Sequence, residues 1–169
     1  MVRIKNKNKM ITIRQYSKED KEKINSVAID AFQQFKEQYS DWESLLNSVG
    51  NMSSLEGKSN IFVAEVNNEV AGAVALVLPG KDKNENIEAS WATIRLLVVS
   101  TQHRSKGIGK LLTNECIKTA QDLGVKTIGL YTSPIMQVAL SMYINIGFEK
   151  VKNIGEIFGV EYSVYKLEI

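Results

Sequence analysis

The part of this chain best suited to hold a ligand is the segment Gln102-His103-Arg104-Ser105-Lys106-Gly107-Ile108-Gly109-Lys110. Three basic side chains and two glycines fall within seven residues, after an apolar stretch and before an amphipathic one. Glycine lets the backbone turn sharply and lets a ligand approach where a Cβ would stand. The first N–H groups of a helix lack partners, and the helix dipole places positive charge beside them. Such a site suits a phosphate or a diphosphate. Two nucleotide patterns fail by position. A Walker loop needs Gly five residues before Gly109 and Ser or Thr after Lys110, where the chain has Arg104 and Leu111. A dinucleotide fingerprint needs Gly three residues after Gly109, where the chain has Leu112. One cysteine, Cys116, and one histidine, His103, cannot build a disulfide, a zinc cluster or a histidine metal site. Cys116 falls on an apolar helix face and reads as a packing residue, and no metal is expected.

Several elements must position this segment. Ala92–Val99 is a continuous apolar strand apart from Arg95, the pattern of a strand covered on both faces. Gly107–Leu123 carries a helical stripe closed by Gly124. Lys126–Tyr131 reads as a strand, and Pro134–Ile146 as a helix with Pro near its start and Gly147 after its end. Upstream, Ile11–Gln15 alternates as a strand, Ser17 offers a helix cap, and Ile24 to Phe35 has helical spacing. Trp42–Val49 repeats that spacing. Asn60–Val66 and Glu69–Leu78 form strands joined by Asn67-Asn68, a two-residue hairpin turn. A polar loop covers residues 81–90, and Phe148–Ile154 and Val160–Leu167 are the last two strands. The order is that of a mixed α/β fold with a central strand–helix–strand unit.

A chain of 169 residues with 44% apolar and 24% charged residues is one domain's worth of sequence, neither disordered nor fibrous. The net charge of +2 is unevenly placed. Residues 1–10 hold Arg3, Lys5, Lys7 and Lys9 and no acid, so the remainder sums to −2. Residues 1–10 therefore read as a basic flexible arm and 11–169 as a single domain, without the bulk charge of a nucleic-acid binder. The longest apolar run, Val70 to Pro79, is about half a membrane span, and Met10–Ile13 is too short for a signal-peptide core. The expectation is a soluble cytoplasmic protein with no nucleic-acid or membrane partner.

Arg104-x-x-Gly107-x-Gly109 resembles the acyl-CoA pyrophosphate loop of GNAT-superfamily N-acetyltransferases, Arg/Gln-x-x-Gly-x-Gly/Ala. Ala139-Leu140-Ser141-Met142-Tyr143, followed by Gly147-Phe148, is similar to that family's second segment, Ala-x-x-Leu-Tyr-x-x-x-Gly-Phe, with Met142 in place of Leu. The resemblance covers residues 91–150. It implies a mixed, mostly antiparallel sheet with a central splayed pair of parallel strands, flanked by helices on both faces. It also implies acetyl-CoA as co-substrate. The pantetheine arm would lie in the splay, against Leu97, Val98 and Val99, and amides near Val98 or Val99 would polarise the acetyl carbonyl. Arg104, Ser105, Lys106, Gly107, Ile108, Gly109 and Lys110 would hold the diphosphate. Ser133, Met136, Ala139 and Met142 would contribute further cofactor contacts. Read alone, Tyr143 is an aromatic on an apolar helix face; the resemblance makes it the general acid for the departing thiolate. Two positions depart from the pattern: Thr101 stands where Pro is common, and Met136 where Asn is usual.

The resemblance implies transfer to a primary amine of a small molecule by direct attack. The strand before the loop offers Thr93 and Arg95 but no acid, so a water chain is expected to take the amine's proton, with Glu88 the one side-chain alternative. Phe32, Phe35, Tyr39, Trp42 and Trp91 are available as acceptor walls, and Glu37, Asp41, Glu43 and Glu88 as acids for a cationic amine. The resemblance leaves a homodimer open, since the last strands often pair between subunits in that family. A peptide or protein N-acetyltransferase, and a non-catalytic acyl-CoA-binding module, are the competing functions.

Overall fold

In the computed structural model, all residues but 7, 8, 82 and 83 are described. Lys7 of the basic segment and two residues of the polar loop thus lie outside the described residues. Alternating and continuous apolar runs build one eight-stranded sheet among the described residues. Its strands are β1 (Val2–Asn6), β2 (Lys9–Gln15), β3 (Ser59–Val66), β4 (Glu69–Val77), β5 (Ala92–Val99), β6 (Thr127–Thr132), β7 (Glu149–Ile157) and β8 (Val160–Glu168). They lie in the order β1-β2-β3-β4-β5-β6-β8-β7, every neighbouring pair antiparallel except β5–β6. The helices are α1 (Lys21–Phe32), α2 (Trp42–Val49), α3 (Ile108–Asp122) and α4 (Gln137–Ile146). The helix start predicted at Pro134 comes three residues later. The Met136 N–H donates to Ser133 O at 2.9 Å, so residues 133–136 form a turn ahead of α4.

The period-two alternation along β4 shows why that strand is apolar throughout. Val74 and Leu76 face Leu112, Cys116 and Ala120 of α3 and Tyr143 of α4. Ala73 and Ala75 face Ile24 and Ala28 of α1 and Leu45 and Val49 of α2. Helices on both faces leave neither side of the strand in water. Asn67 and Asn68, with φ of 53° and 69°, make the predicted hairpin turn.

Residues 2–6 are not a free arm. They pair with β2 as an edge strand, Val2 opposite Ile13 and Ile4 opposite Ile11. Val2 and Ile4 alternate with Arg3 and Lys5, a strand period that a count of charges passes over.

An ion cluster ties the start of α1 to the sheet. Arg14 on β2 grips Asp20 through two bonds, of 2.7 and 2.8 Å, and Glu65 on β3 at 2.6 Å. Asp20 also accepts from the Ser17 N–H at 2.8 Å and is 3% exposed. The Arg14 guanidinium holds the Asp20 carboxyl at about 2, below its ordinary 3.8. A carboxyl depressed on folding stabilises the fold above its unfolded pKa, and that stability is lost as pH falls through the folded value. About 2 kcal/mol is therefore expected to disappear as pH drops from about 4 to about 2. Urea unfolding at a series of pH values should show this slope, and Asp20→Asn should flatten it while lowering stability at pH 7.

Candidate active site

The gap between β5 and β6 is the feature that organises the site. The two strands pair only at Ala92 opposite Ile128 and Thr93 opposite Gly129, then part. The cause lies on the other side of β5. Ala75 pairs with Arg95 and Ala73 with Val98, so two residues of β5 oppose Val74 alone. Leu96 within this bulge takes a φ of 51°. A bulge bends its strand, and β6 continues straight beside β8 through Thr132 opposite Ser163.

The bulge also decides which backbone groups face the gap. The carbonyl oxygen of Val98 approaches Gly72 so closely that a Cβ there would stand 2.7 Å from it, and the Ser100 N–H donates to Ala71 O at 2.9 Å. Residues 98 and 100 are thus turned toward β4. Alternation turns Leu97 and Val99 the other way, toward the space that β6 has left. Val98 pairs with Ala73 of β4, and its side chain is buried in the core beneath α1 and α2. The amides that face the opening are those of Leu97 and Val99.

After β5 the chain turns into α3 through an anion-shaped loop. Ser105 and Gly107 take φ of 59° and 78°, and nothing lies within 4 Å of where a Gly107 side chain would begin. Among the described residues, the first amide of α3 to find a backbone carbonyl is that of Leu111, which donates to Gly107 O at 3.1 Å. The amides of Ile108, Gly109 and Lys110 precede it and point out of the helix start. Thr101 secures this loop from behind. Its N–H donates to Asp30 Oδ2 of α1 at 2.9 Å, a bond that the proline common at this position could not make.

Two of the three cations are held by other residues of the chain. The Arg104 guanidinium donates to Gln34 Oε1 at 3.0 Å and to Ala31 O at 3.1 Å, at the C-terminal end of α1. Lys106 Nζ donates to Gln102 O and to His103 Nδ1, both at 2.9 Å. These side chains brace the loop, which leaves the first backbone N–H groups of α3, with Lys110 beside them, as the groups that could meet an anion. Lys110 borders a groove of about 550 Å³ against Gln137, Ser141 and Met142 of α4.

Tyr143 closes the gap from the α4 side. It is 5% exposed, and its ring meets Phe148 edge-on at 5.5 Å. It lines a cavity of about 290 Å³ together with Leu97, Leu130 and Ala139. Burial pushes the phenol pKa well up, with a smaller contribution from Cys116. Met136 caps α4 and also lines the cavity, and its sulfur accepts weakly from Thr132 Oγ1 at 3.6 Å. Ser133 is fully buried, and its hydroxyl accepts from the Ile135 N–H at 3.4 Å, so it serves the turn. Met142 lies against Gly109, with its sulfur 3.6 Å from where a Cβ would stand.

Residues 21–148 match the family described as Acetyltransferase (GNAT) family. The chain belongs to this family. Rat N-acetyltransferase 8F1 is 37% identical over 98 residues, which cover 58% of this chain and 43% of that relative. The chain thus spans less than half the length of the curated relatives it matches. A GNAT acetyltransferase from Staphylococcus aureus Mu50 superposes with a TM-score of 0.71 at 20% identity, over 94% of this chain and 98% of that one. The PaiA N-acetyltransferase of Thermoplasma acidophilum, solved in complex with coenzyme A, gives 0.68 at 23% identity over 94% and 99%. These likenesses establish the fold.

The GNAT sheet divides the cavity into two sides. Tyr143, Ala139 and Leu130 belong to the α3/α4 side, and Phe32, Leu45, Val49 and Tyr162 to the α1/α2 side. Of the aromatics expected as acceptor walls, only Phe32 lines the cavity. Tyr39 is buried and hydrogen-bonds the Tyr162 hydroxyl, and Trp91 packs against Gly129. None of Glu37, Asp41, Glu43 and Glu88 lines it; Asp41 instead caps α2 by accepting from the Ser44 N–H. Sequence reasoning missed Tyr131 and Tyr162, carried in by β6 and β8, and did not single out Phe158 of the β7–β8 turn, although it lies within Ile154–Glu161, a segment the resemblance implies for acceptor specificity. That turn can reach the cavity because Gly159 lies against Ser40, leaving no room for a Cβ. Among the described residues, no helix is long and apolar enough to cross a membrane, and no three potential metal ligands stand together.

Proposed function

We propose that this GNAT domain transfers the acetyl group of acetyl-CoA to a primary amine of a small molecule, with Tyr143 as general acid. One observation carries the reading. The opening between β5 and β6 has outward-facing amides of Leu97 and Val99 on one edge and the Tyr143 phenol on the other. The loop that follows β5 fits the diphosphate: its helix start offers unpaired amides, and the space over Gly107 is open. That the Thermoplasma neighbour holds coenzyme A supports this fit.

Bound here, acetyl-CoA would supply an activated thioester. The amides of Ile108, Gly109 and Lys110 hold the diphosphate, while those of Leu97 and Val99 orient the pantetheine arm and the acetyl carbonyl. The same two dipoles stabilise negative charge that develops on the carbonyl oxygen when an amine attacks. Tyr143 donates its proton to the leaving sulfur. Among the described residues lining the cavity there is no carboxylate and no histidine, so water takes the proton of the incoming ammonium.

Release of free CoA, followed with a thiol reagent across a panel of amines, tests the reading. Turnover with small amines supports it. Acetyl-CoA binding without turnover would leave the acyl-CoA-binding module, and turnover confined to peptide N-termini would leave the peptide enzyme.

A further inference from the structure

The turn between β7 and β8 holds a bulky residue in a backbone conformation that does not suit it. We propose that Phe158 is a specificity residue for the acceptor, its ring held at the cavity to receive an amine that carries an apolar ring or branched group. This rests on the acetyl-transfer reading of the same gap and extends it to the acceptor's chemical class.

Ile157 pairs with Val160, so Phe158 and Gly159 are the two loop residues of this hairpin. Their φ values are 53° and 82°, the left-handed pair of a type I′ turn. Such a turn favours Asn or Asp before Gly, because its first position also needs a residue that tolerates positive φ. The chain follows that rule in the β3–β4 hairpin, where Asn67 holds the same φ of 53°. For a phenylalanine this conformation is an outlier, since its Cβ crowds the following carbonyl. Turn chemistry therefore does not account for Phe158. Strain of this kind persists only where the surroundings fix it. Here the Phe158 carbonyl accepts from the Asp41 N–H at 3.3 Å, and Gly159 lies against Ser40 with no room for a Cβ. The turn is thus pinned to the segment ahead of α2.

The consequence is an aromatic wall. Phe158 lines the cavity with Phe32 of α1, Leu45 and Val49 of α2 and Ile157 of β7. All five belong to the α1/α2 side of the sheet, opposite Tyr143. Phe158 stays half-buried, so part of its surface is left for a ligand. An asparagine in its place would relax the turn and put an amide where this wall is apolar. Among the described residues that line the cavity there is no carboxylate, so an acceptor with several ammonium groups finds no anion to pair them. A single amine on an apolar ring or branch matches better, because its apolar surface meets the wall while its one ammonium loses a proton to water. The volume of about 290 Å³ falls at the lower edge of small-molecule pockets, roughly 300–1,000 Å³, which suits a compact acceptor.

Steady-state kinetics with phenethylamine, ethylamine and spermidine, together with thermal unfolding, tests this. The wild-type enzyme is expected to favour phenethylamine over ethylamine by about 10- to 100-fold in kcat/KM, the range for burying one ring. Phe158→Asn should lose about 10-fold on phenethylamine through KM, and far less on ethylamine. Its unfolding midpoint should rise by about 2–4 °C as the turn relaxes. Phe158→Tyr keeps both ring and strain and should retain the preference. A side chain that only packed would give the opposite result in Phe158→Asn, a lower midpoint with equal loss on both amines, and that result would overturn the role of Phe158. A wild-type preference for ethylamine or spermidine would overturn the acceptor class while leaving acetyl transfer intact. Absence of CoA release with every amine would overturn the acetyl-transfer reading itself, and the role of Phe158 with it.

Discussion

Tyr143→Phe is expected to lower kcat by about 10²- to 10⁴-fold, the range for removal of a positioned general acid, while the Kd for acetyl-CoA stays within about two-fold. The substitution is unusually clean at this position. The ring keeps its edge-on contact with Phe148 and its place under α4. Among the described residues nothing hydrogen-bonds the hydroxyl, so its removal leaves no partner stranded. Stability should therefore change little, and a lost turnover reports on chemistry. The pH profile gives a second readout. Tyr143 must be protonated to donate, and burial raises its pKa above the ordinary value of 10. The phenol stays protonated to higher pH than a free tyrosine, so loss of the acid should not depress wild-type kcat below pH 10. With no carboxylate or histidine among the described residues that line the cavity, the acid side of the profile should follow the amine itself, shifting from one acceptor to the next. Isothermal calorimetry for acetyl-CoA and stopped-time CoA release separate the two effects. Wild-type turnover in Tyr143→Phe would remove this residue from the mechanism.

What was legible in the sequence was whatever local chemistry decides. The apolar run Ala92–Val99 is a strand at those same limits because both its faces are covered. Asn67-Asn68 turns as expected because both residues tolerate positive φ. Gly107 opens α3 in the left-handed conformation that favours glycine. The illegible parts depend on residues far apart in the chain. The bulge has no local mark: Leu96, not a glycine, carries the positive φ, and the register of β4 imposes it. Arg104 and Lys106 have the composition of phosphate ligands, but Gln34 and Ala31, some seventy positions earlier, capture the first. The acceptor wall shows the same limit. Trp91 has the type of a binding residue, yet it fills the space over Gly129, while Tyr131 and Tyr162 reach the cavity only because β6 and β8 are neighbours. Residues 2–6 differ in kind: their strand alternation was already present beneath the cations, and a count of charges passes over it.

The second large effect is expected at Gly109, where Gly109→Glu should raise the Kd for acetyl-CoA by at least about 100-fold, or about 2.7 kcal/mol. A Cβ at this position would meet Met142 Sδ at 3.6 Å, Leu97 Cδ2 at 3.8 Å and Val99 Cγ2 at 3.9 Å. Those are ordinary contacts, so Gly109→Ala should fold and bind with little change. The glutamate extends beyond them, into the place where β5, α3 and α4 converge. Its carboxylate would satisfy the free amides at the start of α3 from within and repel any phosphate that approached them. Gly107→Ala makes the instructive comparison. Its Cβ would meet nothing within 4 Å, but the residue holds a φ of 78°. Its cost should appear as about 1 kcal/mol of stability, with a smaller loss of affinity. Arg104→Ala should also weaken binding less than Gly109→Glu, because its guanidinium holds α1 and not the ligand. A loop that worked by side-chain charge would give the opposite ranking, with Arg104→Ala the most damaging of the series. An unchanged Kd in Gly109→Glu, measured by calorimetry on protein shown to be folded, would mean that the diphosphate lies elsewhere.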